Sequence, residues 1–265
     1  MIRVVCFSPT GNTEWLLRRI VAVLQRRWNM DALWSPYTTP AQRERFGGVG
    51  EGDVVLWGAP VYAGRHPNKL TPFIKEHLRG HGNPAILVAT YGGRSFDNAL
   101  AEMLQLALQA GLRPVAAAAM PMPHAFGQGI GSGYPAPEHL SALDDWVRRI
   151  NPYAHQPLAL PGDADAPYYQ PLRDDGEPAR FLKAAPVINP GRCTHCGRCE
   201  KVCPMGSIDA NTMFHGICIK CMACVRYCPQ GTITFDDPDL LSHIRMLRTH
   251  CRPQTPLLLP AADPD

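Results

Sequence analysis

The sequence predicts an α/β protein: a doubly wound, five-stranded parallel sheet, followed by a small α+β domain rich in cysteine. Two observations support this. Over residues 1–150, short apolar runs alternate with segments whose apolar residues recur every three or four positions, which is typical of alternating strands and helices. Residues 193–228 hold eight of the 10 cysteines. Between these regions, residues 151–184 are rich in proline and are predicted to be a linker or a packed strap.

The strands and helices of the first region follow each other in a regular order. The five strands are expected at residues 2–7, 30–34, 53–58, 85–90 and 115–120. The helices are expected at residues 12–28, 67–78, 95–109 and 137–150. Because ligands of such folds bind at the carboxyl ends of the strands, the loops that follow the strands are the candidate sites.

The eight clustered cysteines form two copies of one motif, C-x2-C-x2-C-x3-C-P. The offset between the copies is the same at all four cysteines and at the proline that follows them. Three thiolates at this spacing surround one face of an iron–sulfur cube, and the fourth ligates the other cluster. The sequence therefore predicts two [4Fe–4S] clusters. The predicted ligands are Cys193, Cys196, Cys199 and Cys228 for cluster 1, and Cys218, Cys221, Cys224 and Cys203 for cluster 2.

Other uses of these cysteines are open on sequence alone. Structural zinc sites also contain C-x-x-C pairs, although they do not need the C-P ending twice. Disulfides need an oxidising compartment, and residues 1–6 run straight into a strand pattern without the layout of a signal peptide, so we expect a cytoplasmic protein. The net charge of +3 does not suggest nucleic-acid binding, and no apolar stretch is long enough to predict a membrane span.

The loop after the first predicted strand, residues 8–13, is a candidate phosphate site. It precedes a helix, where free backbone N–H groups, hydroxyls and the helix dipole favour a phosphate. It contains no lysine or arginine and lacks the Gly-Lys-Ser/Thr of a nucleotide P-loop, which suits a single phosphate monoester better than a triphosphate. The alternative is a helix cap that binds no ligand.

Two resemblances to known families give these motifs a context. Residues 185–236 resemble the bacterial two-cluster ferredoxins. The first loop is similar to the FMN-phosphate loop of flavodoxins at every defined position, Ser8, Thr10, Gly11, Asn12 and Thr13. The resemblance implies that the flavin ring is held by the loops after the third and fourth strands. The implied ring-binding residues are Pro60, Val61, Tyr62, Gly64, Thr90, Tyr91, Gly92, Gly93, Phe96 and Asp97.

The second ring loop departs from flavodoxins, which tend to have an acidic Gly-Asp pair where this sequence has Arg94 and Asp97. The pattern Tyr-Gly-x-Arg-x-x-Asp, with Pro-Val-Tyr-Ala-Gly-Arg before it, resembles the flavodoxin–ferredoxin fusion proteins of anaerobes more than free flavodoxins. This resemblance covers nearly the whole chain. The implied organisation is a flavodoxin-like FMN-binding domain, a linker or strap, a ferredoxin-like domain and a C-terminal tail. Their expected bounds are residues 1–150, 151–184, 185–236 and 237–265.

This combination of cofactors predicts an electron-transfer protein. FMN exchanges electrons singly or in pairs and a [4Fe–4S] cluster passes one at a time. We expect electrons to move between a low-potential donor, such as a ferredoxin-type protein, and a protein acceptor. Basic residues around the cysteines would favour an acidic partner surface. No catalytic residue is assigned.

Two other functions are open. The first is an FMN-dependent reductase of a small substrate, for which His124, near the end of the fifth strand, is a candidate proton donor. The second is a redox sensor whose clusters respond to oxygen.

Overall fold

The computed structural model of the protein describes residues 1–127, 129–209, 213–252 and 254–260. Residues 253 and 261–265, which belong to the expected tail, lie outside the described residues. None of the described helices has the length and apolar character that crossing a membrane requires.

Residues 1–150 alternate between strands and helices, as the sequence predicted. The strands are β1 (Ile2–Cys6), β2 (Ala32–Pro36), β3 (Val54–Pro60), β4 (Pro84–Tyr91) and β5 (Arg113–Pro121). The helices are α1 (Asn12–Trp28), α2 (Pro40–Arg43), α3 (Thr71–His77), α4 (Ala99–Gln109) and α5 (Pro137–Arg149). Helix α2 was not predicted. It is a single turn, capped by the Thr39 side chain, which accepts from the N–H of Gln42.

The five strands run parallel in the order β2-β1-β3-β4-β5, which is the flavodoxin-like order. Apolar residues of α1 and α5 cover one face of the sheet and those of α3 and α4 cover the other, so the strands are buried on both sides. The predicted α/β class is confirmed. Since the strand order reverses between β1 and β3, the loops after these strands border a crevice at the carboxyl edge.

The cysteine-rich region consists of short elements. In chain order they are β6 (Val187–Ile188), α6 (Arg198–Val202), β7 (Ile208–Asp209), β8 (Met213–Phe214), α7 (Ala223–Tyr227), β9 (Ile233–Thr234) and α8 (Pro238–His250). Strand β6 pairs with β9 and β7 pairs with β8, both antiparallel. Helices α6 and α7 occupy equivalent positions in the two cysteine repeats, and each contains the third cysteine of its motif.

The segment expected as a tail differs from the prediction. After α8 the chain forms β10 (Leu257–Leu259), which pairs antiparallel with β5, with Leu258 opposite Ala118. The indole N–H of Trp146 donates to the carbonyl oxygen of Leu259 at 3.2 Å. The sheet therefore has six strands rather than five. The cysteine-rich region lies between two segments of chain that both pack on this sheet.

Residues 151–184 pack against the sheet domain as a strap. The Arg65 guanidinium is buried and forms an ion pair with Glu102, whose oxygen lies 2.9 Å away. The same guanidinium donates hydrogen bonds to the backbone carbonyl oxygens of Ala164 and Ala166. A buried arginine is therefore satisfied jointly by a helix of the sheet domain and by the strap, which fixes the strap in place.

Candidate functional site

The four cysteines predicted for cluster 1 line one cavity, here called cavity 1. They are Cys193, Cys196, Cys199 and Cys228. Cys196 is exposed at the surface of the protein. Gly197, at φ +66°, adopts the left-handed conformation that turns the chain from Cys196 into α6. The crossing cysteine of the second repeat thus lies with the first three cysteines of the first repeat.

The other four cysteines line a second cavity, here called cavity 2. They are Cys203, Cys218, Cys221 and Cys224. The rest of the lining is mostly apolar and includes Met205, Ile208, Phe214, Ile217, Ile219 and Phe235. Three of these four cysteines are buried, whereas none of those around cavity 1 is. The two cavities therefore share a ligand pattern and differ in exposure.

The thiols of cavity 2 lie in surroundings that disfavour charge. Burial raises the pKa of Cys224 to about 12 and raises the pKa of Cys221 further. Backbone N–H groups approach the sulfurs: that of Ser207 donates to Cys203 Sγ and that of Lys220 to Cys218 Sγ, both at 3.4 Å. Such bonds stabilise a thiolate once a metal cluster supplies the compensating charge.

The thiol donor set fits an iron–sulfur cluster. Within the described ranges, no group of three or more His, Cys, Asp or Glu side chains is arranged to hold one metal ion. Each set of four thiols surrounds a cavity instead. Four cysteine thiolates are the usual ligands of a [4Fe–4S] cube.

The loop of residues 8–13 is held by hydrogen bonds to residues that surround it. Thr38 Oγ1 accepts from the N–H of Ser8 at 2.8 Å, and Ser8 Oγ accepts from the N–H of Glu14 at 3.0 Å. The hydroxyls of Thr13 and Thr90 lie 2.7 Å apart, which joins this loop to the end of β4. The loop is therefore held in shape by neutral hydrogen bonds.

Several donors of this loop remain available. The N–H groups of Asn12 and Thr13 open helix α1, and neither has a protein acceptor among the described residues. Gly11 has φ +85°, which makes the sharp turn before the helix possible. The Asn12 side chain donates to the carbonyl oxygen of Pro123 at 2.8 Å. Neutral N–H groups at a helix start, with Thr10 and Thr13 hydroxyls nearby, are a donor set that fits a phosphate.

The two loops implied for a flavin ring lie side by side. The N–H of Val61 donates to the carbonyl oxygen of Thr90 at 2.8 Å, and the N–H of Asn98 donates to that of Gly64 at 3.0 Å. Gly64 has φ +77°, and a Cβ at this position would clash with the Asp97 side chain. The predicted residues Pro60–Gly64 and Thr90–Asp97 are thus brought to one edge of the sheet.

The aromatic residues of these loops have different surroundings. Tyr91 and Phe96 pack together with ring centroids 5.7 Å apart. Tyr62 packs against Phe7, with 6.4 Å between the ring centroids. Burial raises the pKa of Tyr62 well above its usual value, and Cys221 and Cys218 add to this increase. Tyr62, a residue of the first ring loop, is therefore close enough to Cys221 and Cys218 for their charges to act on it.

Arg94 and His124 lie beside the second ring loop. Arg94 pairs with Asp97, and its guanidinium lies 3.6 Å from the ring centroid of Tyr169 in the strap. His124 packs on Gly92, where a Cβ would lie 2.5 Å from the imidazole. Burial, with His243 and Arg94 adding to it, lowers the pKa of His124 to about 4. His124 is therefore neutral at pH 7.

The sheet domain and the cysteine region are joined by residues that the sequence did not single out. Arg43 Nη2 donates to the carbonyl oxygen of Pro204 at 2.7 Å, and its Nη1 donates to that of Thr38 at 3.0 Å. Met205 and Ile219, which line cavity 2, pack against the core of the sheet. Arg43 thus links the residue after a predicted cluster ligand to the residue that supports Ser8. No local pattern in the sequence indicates such long-range contacts.

Comparisons with known proteins agree with part of this description. Family models described as 4Fe-4S binding domains match residues 185–208 and 218–232, which contain the two cysteine repeats. The curated proteins give no match. Among solved structures, the chain is similar to a flavodoxin from the domain Archaea, with 13% identity, a TM-score of 0.39, and coverage of 56% of this chain and 94% of that one.

A second solved structure is a protein described as a flavoprotein from Bacteroides eggerthii DSM 20697. The identity is 17% and the TM-score 0.33, with 46% of this chain and 87% of that one covered. The strand order, rather than these likenesses, identifies the sheet as flavodoxin-like. The chain is an iron–sulfur protein with a flavodoxin-like domain. It has the architecture of a flavodoxin–ferredoxin fusion.

Proposed function

We propose that this protein transfers electrons between two [4Fe–4S] clusters and FMN. The observation that carries the proposal is that Met205 and Ile219, which line cavity 2, pack against the same core cluster of the sheet as the ring-loop residues Val61 and Tyr62. Cys193, Cys196, Cys199 and Cys228 would hold cluster 1, and Cys203, Cys218, Cys221 and Cys224 would hold cluster 2. FMN, when bound, exchanges electrons singly or in pairs, which lets a one-electron carrier serve two-electron chemistry.

The loops of the sheet domain have distinct roles in this proposal. The N–H groups of Asn12 and Thr13, with the hydroxyls of Ser8, Thr10 and Thr13, bind the phosphate. The residues Pro60–Gly64 and Thr90–Asp97 bind the ring, and their glycines allow close approach of the backbone. The absence of a cation in residues 8–13 matches a phosphate monoester, as the sequence suggested.

The two clusters have a fixed order along the proposed path. Cavity 1 contains the exposed Cys196, whereas three of the four cysteines of cavity 2 are buried and its lining residues Met205 and Ile219 pack on the core of the sheet. A partner protein therefore exchanges electrons with cluster 1, and cluster 2 passes them to or from FMN. We propose that this takes place in the reducing cytoplasm, where the thiols stay available for iron.

The rim of cavity 1 favours an acidic partner. Arg192, Arg198 and Lys201 are exposed, and none of them forms an ion pair with the described acidic side chains. Unpaired cations around an exposed redox centre attract a negatively charged surface and raise the rate of encounter. We therefore propose an acidic ferredoxin-type protein as the partner.

The reductase alternative rests on His124. Its Nδ1 accepts from the N–H of Phe126 at 3.0 Å, which leaves the proton of the neutral imidazole on Nε2. With a pKa of about 4, His124 supplies a hydrogen bond at neutral pH rather than a proton from an imidazolium. This observation favours the electron carrier over the reductase.

The proposal is tested by the composition and reactivity of protein purified without oxygen. We expect about eight iron atoms, about eight sulfides and one FMN per chain. Replacing Thr10 and Thr13 with alanine is expected to release FMN and leave the iron in place. Stopped-flow mixing with reduced ferredoxin is expected to reduce clusters before flavin. Zinc in place of iron, or flavin retained by the double variant, would contradict the assignment.

A further inference from the structure

Tyr227 brings the cysteine region to the loop of residues 8–13. It is the last residue of helix α7 and lies directly before the crossing cysteine, Cys228. A Cβ atom built on Gly11 would lie 3.2 Å from the hydroxyl oxygen of Tyr227. The Tyr227 side chain is half-buried, and its hydroxyl has no hydrogen-bond partner in the part of the chain that the structure describes. An unused donor therefore lies against the loop whose N–H groups at Asn12 and Thr13 are also unused.

We propose that Tyr227 donates a hydrogen bond to the phosphate of FMN and so closes the phosphate site from the cysteine-rich side. This inference rests on the proposed function. A phosphate monoester carries close to two negative charges at pH 7 and presents three acceptor oxygens. The loop itself offers only neutral donors and no cation. A phenolic O–H bonded to a charged oxygen is a strong interaction, and Tyr227 is placed to supply it.

The cysteine repeat itself does not require a tyrosine at this position. In the first repeat the residue before the crossing cysteine is Val202, and Cys203 still joins the other three thiols around cavity 2. The aromatic ring and hydroxyl of Tyr227 are thus additional to the needs of the cluster motif. Gly11 leaves room for the Tyr227 hydroxyl, because any side chain at position 11 would approach it.

The position of Tyr227 links the flavin to both clusters. It lies between Cys224, a predicted ligand of cluster 2, and Cys228, a predicted ligand of cluster 1. Assembly of the clusters fixes both ends of α7 and with them the direction of the hydroxyl. By reciprocity, a phosphate that binds the hydroxyl favours the assembled arrangement of the cysteines. FMN binding and cluster assembly are therefore expected to strengthen each other.

The test compares FMN and riboflavin, which lacks the phosphate, on the full iron-loaded chain. Dissociation constants are measured by quenching of flavin fluorescence for the wild type and for Tyr227→Phe. We expect the variant to bind FMN about tenfold more weakly, as for a lost hydrogen bond to a charged group, and riboflavin equally well. Tyr153→Phe, at a tyrosine that is 73% exposed, is the matched control and should change neither constant.

The outcomes separate the inference from the proposed function. Unchanged FMN affinity in Tyr227→Phe, or an equal loss for FMN and riboflavin, would overturn the role of Tyr227. Failure of the wild type to bind either flavin would instead overturn the proposed function. Iron content at the wild-type level shows that the variant is assembled. If it is not, the dissociation constants are measured on the iron-loaded fraction of the variant alone: a tenfold loss for FMN there supports the inference and an unchanged constant contradicts it.

Discussion

Cavity 1 and cavity 2 are built from the same cysteine motif and face different surroundings. Cavity 1 opens to solvent at Cys196 and has exposed cations on its rim. Cavity 2 is enclosed by apolar side chains, of which Met205 and Ile219 also pack on the core of the sheet. The duplicated motif decides which thiols meet. The packing of the second repeat on the sheet decides which cavity faces the ring loops.

Under the proposed function, this difference gives the two cavities separate tasks. The exposed cluster would exchange electrons with another protein, and the buried cluster with the flavin. The sheet domain contributes to this division through Arg43, which reaches the carbonyl oxygen of Pro204 beside Cys203. Four experiments test this difference between the cavities.

The largest effect is expected from replacing one predicted cysteine ligand of either cluster. Cys221→Ser is expected to abolish reduction of the flavin by reduced ferredoxin, because in the proposed path cluster 2 passes electrons from cluster 1 to the flavin. Cys196→Ser is expected to remove cluster 1 and leave reduction of the flavin by dithionite intact. In each variant the iron content should fall from about eight to about four atoms. Rapid flavin reduction by ferredoxin in Cys221→Ser, followed by stopped-flow absorbance, would refute the proposed order.

The second experiment reverses charge at the rim of cavity 1. Arg198→Glu is expected to slow reduction by an acidic ferredoxin about tenfold at low salt, because it replaces attraction with repulsion. The difference should shrink as salt rises, since the Debye length shortens. Arg26→Glu on helix α1 is the control: Arg26 is also exposed and has no ion pair within the described residues. A salt-independent rate, or equal slowing in both variants, would argue against docking at cavity 1.

The third experiment separates the potentials of the two clusters. Arg43→Met is expected to lower the midpoint potential of cluster 2 and leave that of cluster 1 unchanged, because the guanidinium stabilises the more negative reduced cluster. Arg198→Met should lower the midpoint potential of cluster 1 and leave that of cluster 2 unchanged. A redox titration followed by electron paramagnetic resonance measures both. Equal shifts of both clusters in one variant would show that the two cavities are not electrostatically distinct.

The smallest effect concerns the sheet against which cavity 2 packs. Burial lowers the pKa of His66 to about 3, so folding keeps this imidazole neutral. Below about pH 6.5 the unfolded chain takes up a proton that the folded chain does not bind, so stability falls as the pH decreases. The loss is at most about 1.4 kcal/mol per pH unit for this group. His66→Gln should flatten the pH dependence of urea unfolding between pH 6.5 and 4, and an unchanged slope would contradict this.

Local patterns explain which parts of this structure the sequence predicts. Helix α1 begins and ends where expected, because an apolar stripe runs between a glycine turn at Gly11 and the left-handed Asn29. Helix α8 was not predicted although its start carries a signal: Asp237 accepts from the N–H of Leu240 at 2.9 Å and Pro238 follows the cap. Strand β10 has no such signal, since three leucines fit many structures.

The candidate site likewise has parts that the sequence predicts and parts that it does not. The spacing of the cysteines predicts two sets, and each set lines its own cavity; their role as ligands and the flavin contacts stay predictions. Contacts that join distant parts of the chain could not be predicted. Arg43 and Tyr227 have no motif of their own, and their importance depends on how the second repeat packs against the sheet. The sequence did not decide whether residues 151–184 are a free linker or a packed strap, because their proline content fits both.

Strand β10 has a consequence for how the protein is made. The ribosome completes both cysteine repeats before it reaches Leu257–Leu259. Until then the backbone N–H and C=O groups on the outer edge of β5 have no strand partner, and an open edge invites pairing with other chains. The sheet that begins with the first residues of the chain is therefore closed after the iron-binding region has been synthesised. The outer edge of β5 thus stays unpaired for as long as the cysteine repeats are being synthesised.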